Sequence, residues 1–236
     1  MPVMEKPMNA PQILFAYDDP SSQQMVQTAL KAANLKVLLA SSGAEALEVW
    51  RNNPLDLIIL DVMMPDMSGF EVCQYIRRVS PVPIMMLTGM SREQDILQGF
   101  ESGSDDYIFK PFRPKELIAR IHAILQRTSR SVTQTTGRLM YGDLELDIDA
   151  QRALRRGEPI QVTPLEFQLL QYMIQRVGVA LSKEELFQNV WGYTMPSGGM
   201  NLIEVAVRRL REKVEEDPSH PAYIQTVRGV GYRFGA

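Results

Sequence analysis

Short apolar runs and amphipathic stretches alternate through the first half of this 236-residue chain. ILFA (13–16), VLLA (37–40), LIIL (57–60), IMML (84–87) and YIF (107–109) are apolar throughout and bounded by turn residues, as buried strands are. The stretches between them place apolar residues at three and four spacing, as in Met25, Val26, Ala29, Leu30 and Ala33, which predicts helices. Strands alternating with helices predict an α/β fold, a five-stranded parallel doubly wound sheet covered on both faces. Residues 127–137, RTSRSVTQTTG, are rich in Ser and Thr, lack periodicity and read as a linker.

Beyond the linker the pattern changes. LELDI, RALRR and IQV are short strand candidates. Two helices follow, each opened by a hydroxyl three residues before a glutamate: Thr163 with Glu166, and Ser182 with Glu185. A third helix runs through 201–216, and the chain ends in a hairpin, YIQTVRGVGYRF, turning at Gly229 to Gly231. Helices followed by a terminal hairpin predict an α+β winged helix. The expected organisation is a tail (1–10), an α/β domain (11–127), a linker (128–137) and a winged-helix domain (138–236).

Composition narrows the function classes. At 45% hydrophobic and 22% charged residues the chain is globular. Its apolar runs fall short of the roughly 20 residues that span a bilayer, and the start has no signal pattern, so a cytoplasmic location without membrane association is expected. The single cysteine, Cys73, sits on an apolar helical face and reads as a small buried hydrophobe; His122 and His220 belong to no motif. Residues 1–127 carry 12 basic and 15 acidic side chains, and 128–236 carry 13 and 13. Any nucleic-acid signal must therefore be a local patch.

Chemistry collects at the strand ends, where open α/β sheets bind ligands. The first strand runs into Tyr17, Asp18 and Asp19, the third into Asp61, the fourth into Thr88, the fifth into Lys110-Pro111. Two carboxylates on separate strands can hold a hard cation such as Mg²⁺. With a hydroxyl and an ammonium beside them, the set suits phosphoryl transfer to a carboxylate. Singly, each of these residues is an ordinary turn former, cap or loop residue; the combination carries the reading.

DVMMPDMSGFE, MLTG and DDYIFKPF at successive strand ends resemble the response-regulator receiver domain over residues 11–127. The resemblance implies Asp61 as phospho-acceptor, Thr88 and Lys110 as switch hydroxyl and phosphate-binding lysine, Tyr107 as switch aromatic, and Asp18, Asp61 and the Met63 carbonyl as Mg²⁺ ligands. A cis Lys110–Pro111 bond is expected. Receivers of this kind end the first strand with two acids, and here Tyr17 stands at the first of those positions, which predicts weak Mg²⁺ binding and slow phosphorylation. A haloacid-dehalogenase-type phosphatase needs a second Asp where Met63 stands, and a dinucleotide-binding domain needs a glycine-rich turn where YDDPSS stands, so no enzymatic turnover of an external substrate is expected.

In the second half, Ile203, Val207, Leu210 and Val214 form a core stripe, and Arg208, Arg209, Arg211 and Lys213 crowd four cations into six residues of the same helix. A charge run is usually a solvated face, but this helix follows two shorter ones, as a recognition helix does, and the hairpin adds Arg228 and Arg233. TPLEFQLLQYMI, LSKEELFQNVWG, VRRLREKVEEDP and YIQTVRGVGYRF resemble the OmpR/PhoB effector domain. That resemblance implies DNA contacts from Arg209, Arg211, Arg228 and Thr226, with Asn201 and Ala206 standing where relatives carry other readers. Residues 191–200 match the loop that faces RNA polymerase.

The resemblances together imply a two-component transcription factor. A sensor histidine kinase phosphorylates Asp61, Thr88 and Tyr107 shift, and the face formed by the fourth helix, fifth strand and fifth helix pairs two copies on a promoter direct repeat. Asp106, Glu116 and Arg120 lie on that homodimer face. Ile96 replaces a basic partner there, which predicts a weaker or rearranged dimer. The rival expectation is a receiver serving only as a phosphorylation-independent dimerisation or docking module.

Overall fold

The structure is a computed structural model, described here for residues 10–89, 102–129, 137–193 and 200–235. The first half forms strands β1 (Gln12–Ala16), β2 (Lys36–Ala40), β3 (Leu57–Asp61), β4 (Ile84–Thr88) and β5 (Asp106–Phe109). All pair in parallel in the order β2-β1-β3-β4-β5, the flavodoxin-like doubly wound order. Helices α1 (Pro20–Ala32), α2 (Gly43–Asn52), α3 (Gly69–Arg77) and α4 (Pro114–Ser129) cover it. Residues 90–101, with Ile96, lie outside the described residues.

Strand alternation sorts the core into two layers. Ile13, Phe15, Leu57, Ile59, Met85 and Leu87 face Val26 and Leu30 of α1 and Leu117, Ile121 and Ile124 of α4. Leu14, Ala16, Ile58, Leu60 and Met86 face Ala46 and Leu47 of α2 and Val72, Cys73 and Ile76 of α3. Both layers are apolar, which is why these strands read as continuous apolar runs. Met25, expected in the α1 stripe, is exposed at the edge of it.

The second half opens with an antiparallel sheet of β6 (Arg138–Tyr141), β7 (Leu144–Asp147), β8 (Arg152–Arg155) and β9 (Glu158–Ile160). Then come α5 (Pro164–Ile174), β10 (Ala180–Ser182), α6 (Lys183–Trp191), α7 (Met200–Val214), β11 (Ile224–Val227) and β12 (Gly231–Phe234). Thr163 and Glu166 close a full reciprocal capping box on α5, whereas Ser182 only accepts from the Glu185 N–H. The last strand of the first sheet lies at 158–160, earlier than IQV (160–162). β6 and β10 were not among the expected strands: each is a short edge strand with weak alternation, and β10 exists because β12 pairs with it. Gly231 makes that pairing possible, since a Cβ there would lie 2.2 Å from the Leu181 carbonyl oxygen. The third helix extends over 200–214, and the hairpin β11–β12 turns where expected. Among the described residues no helix is long and apolar enough to cross a membrane.

Candidate functional site

Asp61 ends β3 and is 2% exposed. Gly69 lets the chain after β3 fold back so tightly that a Cβ there would sit 2.1 Å from the Asp61 carbonyl oxygen. Lys110, directly after β5, places its Nζ 2.6 Å from Asp61 Oδ2, and the Met63 N–H donates to Asp61 Oδ1 at 3.2 Å. The Lys110–Pro111 peptide is cis, as expected. Burial pushes the Asp61 carboxyl above its ordinary value, against the pull of Lys110 and the Met63 N–H, and the charge of Asp18 adds to the rise.

The other predicted residues surround this pair. Thr88 ends β4 and is buried, and its carbonyl accepts the Lys110 N–H at 2.7 Å, tying the β4 and β5 ends together. Tyr107 is buried in β5 with its ring 4.8 Å from that of Phe109, and burial with the adjacent Asp106 charge pushes its phenol up to about 12. Asp18 is exposed at the end of β1. Asp19 is occupied as the N-cap of α1, accepting from Ser22 N at 2.9 Å and Ser21 Oγ at 2.7 Å; hydrogen bonding from the Ser22 and Ser21 side chains, with the Ser22 N–H behind them, holds its carboxyl down at about 2. Tyr17 lays its ring face against Lys110, whose Nζ stands 4.1 Å from the ring centroid.

A divalent cation fits this donor set poorly. Asp61 already spends one oxygen on Lys110 and the other on a backbone N–H, Asp19 caps a helix, and a phenol stands at the first of the two strand-end acid positions, which leaves the exposed Asp18 as the second carboxylate. Mg²⁺ is usually held through one or two carboxylates with waters completing its shell, and here the buried one, Asp61, is already paired with Lys110.

Asp106, Glu116 and Arg120, the predicted dimer-face residues, lie together. Arg120 Nη2 is 3.1 Å from Glu116 Oε1, and Arg120 Nη1 is 3.5 Å from Asp106 Oδ1. The same Asp106 oxygen accepts from the Tyr193 hydroxyl at 2.5 Å, and the Arg120 guanidinium lies over the Tyr193 ring at 4.4 Å. Tyr193 belongs to the loop after α6, so this face of the receiver is engaged by the winged-helix domain of its own chain.

Helix α7 carries the predicted DNA readers, and its cations divide by neighbour. Arg208 is half-exposed, 3.9 Å from Glu212. Arg209 is only 12% exposed: Nη2 pairs with Glu166 Oε1 at 2.9 Å, and Nη1 donates to the Ser104 carbonyl of the receiver at 2.9 Å. Lys213 Nζ meets the other Glu166 oxygen at 2.5 Å. Burial alone would raise the Glu166 carboxyl, but Arg209 and Lys213 hold it below its ordinary value. Arg211 donates to the Ile224 carbonyl and to Thr226 Oγ1. Ala206 is buried at 3% exposure and does not face outward in this arrangement. Arg228 stands exposed in the hairpin turn, and Lys183 pairs with Glu204. Asn201 lies in the first turn of α7; residues 194–199 of the loop expected to face RNA polymerase lie outside the described residues.

The sequence missed three partners. Glu166 shows there only as a capping residue, and its pairing with α7 spans more than forty residues. Ser104 carries no motif of its own, and Tyr193 shows there only as part of the 191–200 loop, with nothing to mark it as a partner of the receiver.

A buried carboxylate–lysine pair at the strand ends of a doubly wound sheet, followed by a winged helix with a basic third helix, defines a DNA-binding regulator with a receiver domain. The comparisons agree. Residues 13–122 match the response regulator receiver domain model and residues 157–234 the transcriptional regulatory protein C-terminal model. The chain is 42% identical over 223 residues to the DNA-binding response regulator MtrA of Mycolicibacterium smegmatis, covering 94% of this chain and 96% of the relative. It is 41% identical over 233 residues to the "probable transcriptional regulator ycf27" of Cyanophora paradoxa, covering 96% and 97%. A solved RitR mutant matches with a TM-score of 0.74 at 28% identity, covering 95% of this chain and 99% of that one. The chain belongs to the OmpR/PhoB-type family of DNA-binding response regulators.

Proposed function

We propose that this regulator binds promoter DNA as a receiver-paired homodimer, with Asp61 as the phosphoryl acceptor and a sensor histidine kinase as donor. The observation that carries the reading is the double contact between receiver and DNA reader, Tyr193 to Asp106 and Arg209 to Ser104. In the step, the donor's N–P bond breaks and an Asp61 oxygen bonds to phosphorus. The new phosphoryl oxygens draw on Lys110 and on Thr88. Because Lys110 N is bonded to the Thr88 carbonyl, and Thr88 pairs with Phe109 in the β4–β5 register, the shift passes into β5. Asp106 and Arg120 then exchange Tyr193 for the partner receiver, and α7 is released to the major groove while the Arg228 turn enters the minor groove. The loop around 191–200 faces RNA polymerase.

The test is fluorescence anisotropy on duplexes selected from a random pool, with and without a small phosphodonor. Sequence-selective, salt-sensitive binding that tightens with donor in the wild type and not in Asp61→Ala is expected. Binding without sequence preference, or a donor response that survives Asp61→Ala, would overturn the reading.

A further inference from the structure

We propose that Tyr17 is a cation clamp that holds the Lys110 ammonium on Asp61 and so makes this pocket resist divalent cations and accept phosphate slowly. The proposal rests on the reading of Asp61 as acceptor. Lys110 Nζ is enclosed from two sides, by Asp61 Oδ2 at 2.6 Å and by the Tyr17 ring centroid at 4.1 Å, and its side chain is 21% exposed. A partly desolvated ammonium over an aromatic face is attracted by the ring quadrupole, so the ring favours the one lysine position in which Asp61 is neutralised from within the chain.

The ring is itself fixed. It is half-buried, 5.8 Å from the Phe15 ring, and packs beside the core layer under α1 and α4. The Tyr17 backbone is held too: its N–H donates to the Ala40 carbonyl, and its carbonyl accepts from Gln23 Nε2 at 2.6 Å. A divalent cation seeking Asp61 must displace a lysine held by two partners, and then finds Asp18 as the second carboxylate, because Asp19 is committed to capping α1.

This clamp differs from the mere loss of an acidic ligand, and uncharged substitutions separate the two. Tyr17→Phe keeps the ring face, Tyr17→Leu and Tyr17→Met remove it, and none adds a charge. On the full-length chain, Mg²⁺ affinity is read by titration calorimetry, and Asp61 labelling by intact mass after incubation with phosphoramidate. The clamp predicts Tyr17→Phe within twofold of wild type. It predicts about two- to fivefold tighter Mg²⁺ binding and faster labelling in Tyr17→Leu and Tyr17→Met, the size of one such contact, and a gain of more than tenfold in Tyr17→Asp.

Equal Mg²⁺ affinity in the Phe, Leu and Met variants would overturn the clamp, as would a wild type that already binds as tightly as Tyr17→Asp. Two aliphatic variants guard against one that folds badly. The acceptor reading is judged separately: label that persists when Asp61→Asn is added to Tyr17→Asp defeats that reading, while the Mg²⁺ titrations of the uncharged series still decide the clamp.

Discussion

Glu166 is 1% exposed and faces two cations, Arg209 at 2.9 Å and Lys213 at 2.5 Å, while one of its oxygens also accepts the Thr163 N–H at 2.8 Å. Glu166→Ala removes the single anion from this cluster and leaves Arg209, itself nearly buried, without a counter-charge. Breaking a buried pair by deleting one partner costs about 3–5 kcal/mol, a large share of the roughly 5–15 kcal/mol that holds a domain folded. Glu166→Gln retains an acceptor for the Thr163 N–H and should cost about 1 kcal/mol less, the worth of the cap. Urea unfolding followed by the fluorescence of the buried Trp191, in a Trp50→Phe background, reports on the winged helix alone. Combining Glu166→Ala with Arg209→Ala should be less damaging than the sum, by about 0.5–3 kcal/mol. Acid is a second reading of the same pair. The Glu166 carboxyl lies below its ordinary 4.5 in the folded chain, so its stabilisation is complete above pH 4.5 and is lost as pH falls through the lowered native value. The gap between wild type and Glu166→Gln should therefore close on acidification. A loss below about 1 kcal/mol for Glu166→Ala, or strict additivity with Arg209→Ala, would refute the argument.

Three further outcomes are expected. Gly69→Ala forces a Cβ to within 2.1 Å of the Asp61 carbonyl oxygen, so it should lower the receiver's melting temperature and slow Asp61 labelling; an unchanged melt would show that the β3–α3 turn yields. Tyr193→Phe loses a hydrogen bond to a charged group, worth about 1.5–3 kcal/mol, and keeps the ring under Arg120. It should loosen the contact between the domains and tighten DNA binding roughly tenfold, and an unchanged small-angle scattering profile together with unchanged affinity would count against that contact. Arg228→Ala should weaken DNA binding across sequences and reduce the slope of log affinity against log salt by about one, which anisotropy at several salt concentrations measures.

The receiver was legible because its chemistry is strung on a simple pattern. Apolar runs mark buried parallel strands, and the residue after each run falls at the sheet edge where ligands bind, so Asp61, Thr88 and Lys110 could be placed together by counting. The capping box at Thr163 and the hairpin at 224–234 were legible for a similar reason, since each is closed by residues a few positions apart. β10 was not, because a three-residue strand is defined by its partner, and β12 lies about fifty residues away. The placement of Arg209 was hidden in the same way: nothing beside it in the sequence says that Glu166 and Ser104 will reach it from two other elements. Tyr17 shows the limit most directly. Its position is countable from Asp61, which reveals a missing acid, but the contact of its ring with Lys110 exists only once the C-terminal ends of β1 and β5 lie along one side of the same sheet.

The same difference between counting and pairing decides how the basic helix meets DNA. Four cations in six residues suggest a uniformly positive face, yet α7 and its surroundings supply an acid for nearly every one. Those acids are not equivalent. Glu212 beside Arg208 and Glu204 beside Lys183 are half-exposed, and exposed pairs are worth about 0–1 kcal/mol, so a phosphate can take over either cation at little cost. Glu166 is buried, and exchanging it for phosphate would leave a carboxylate charge stranded in the interior. Arg209 and Lys213 are thereby committed to the fold of the winged helix. Arg228, with no ion-pair partner among the described residues, has nothing to give up. Counterion release should therefore be carried by Arg228, Arg208 and Lys183, and a loss of DNA affinity in Arg209→Ala should travel with a loss of stability, which the Arg228→Ala substitution in its exposed turn should not show.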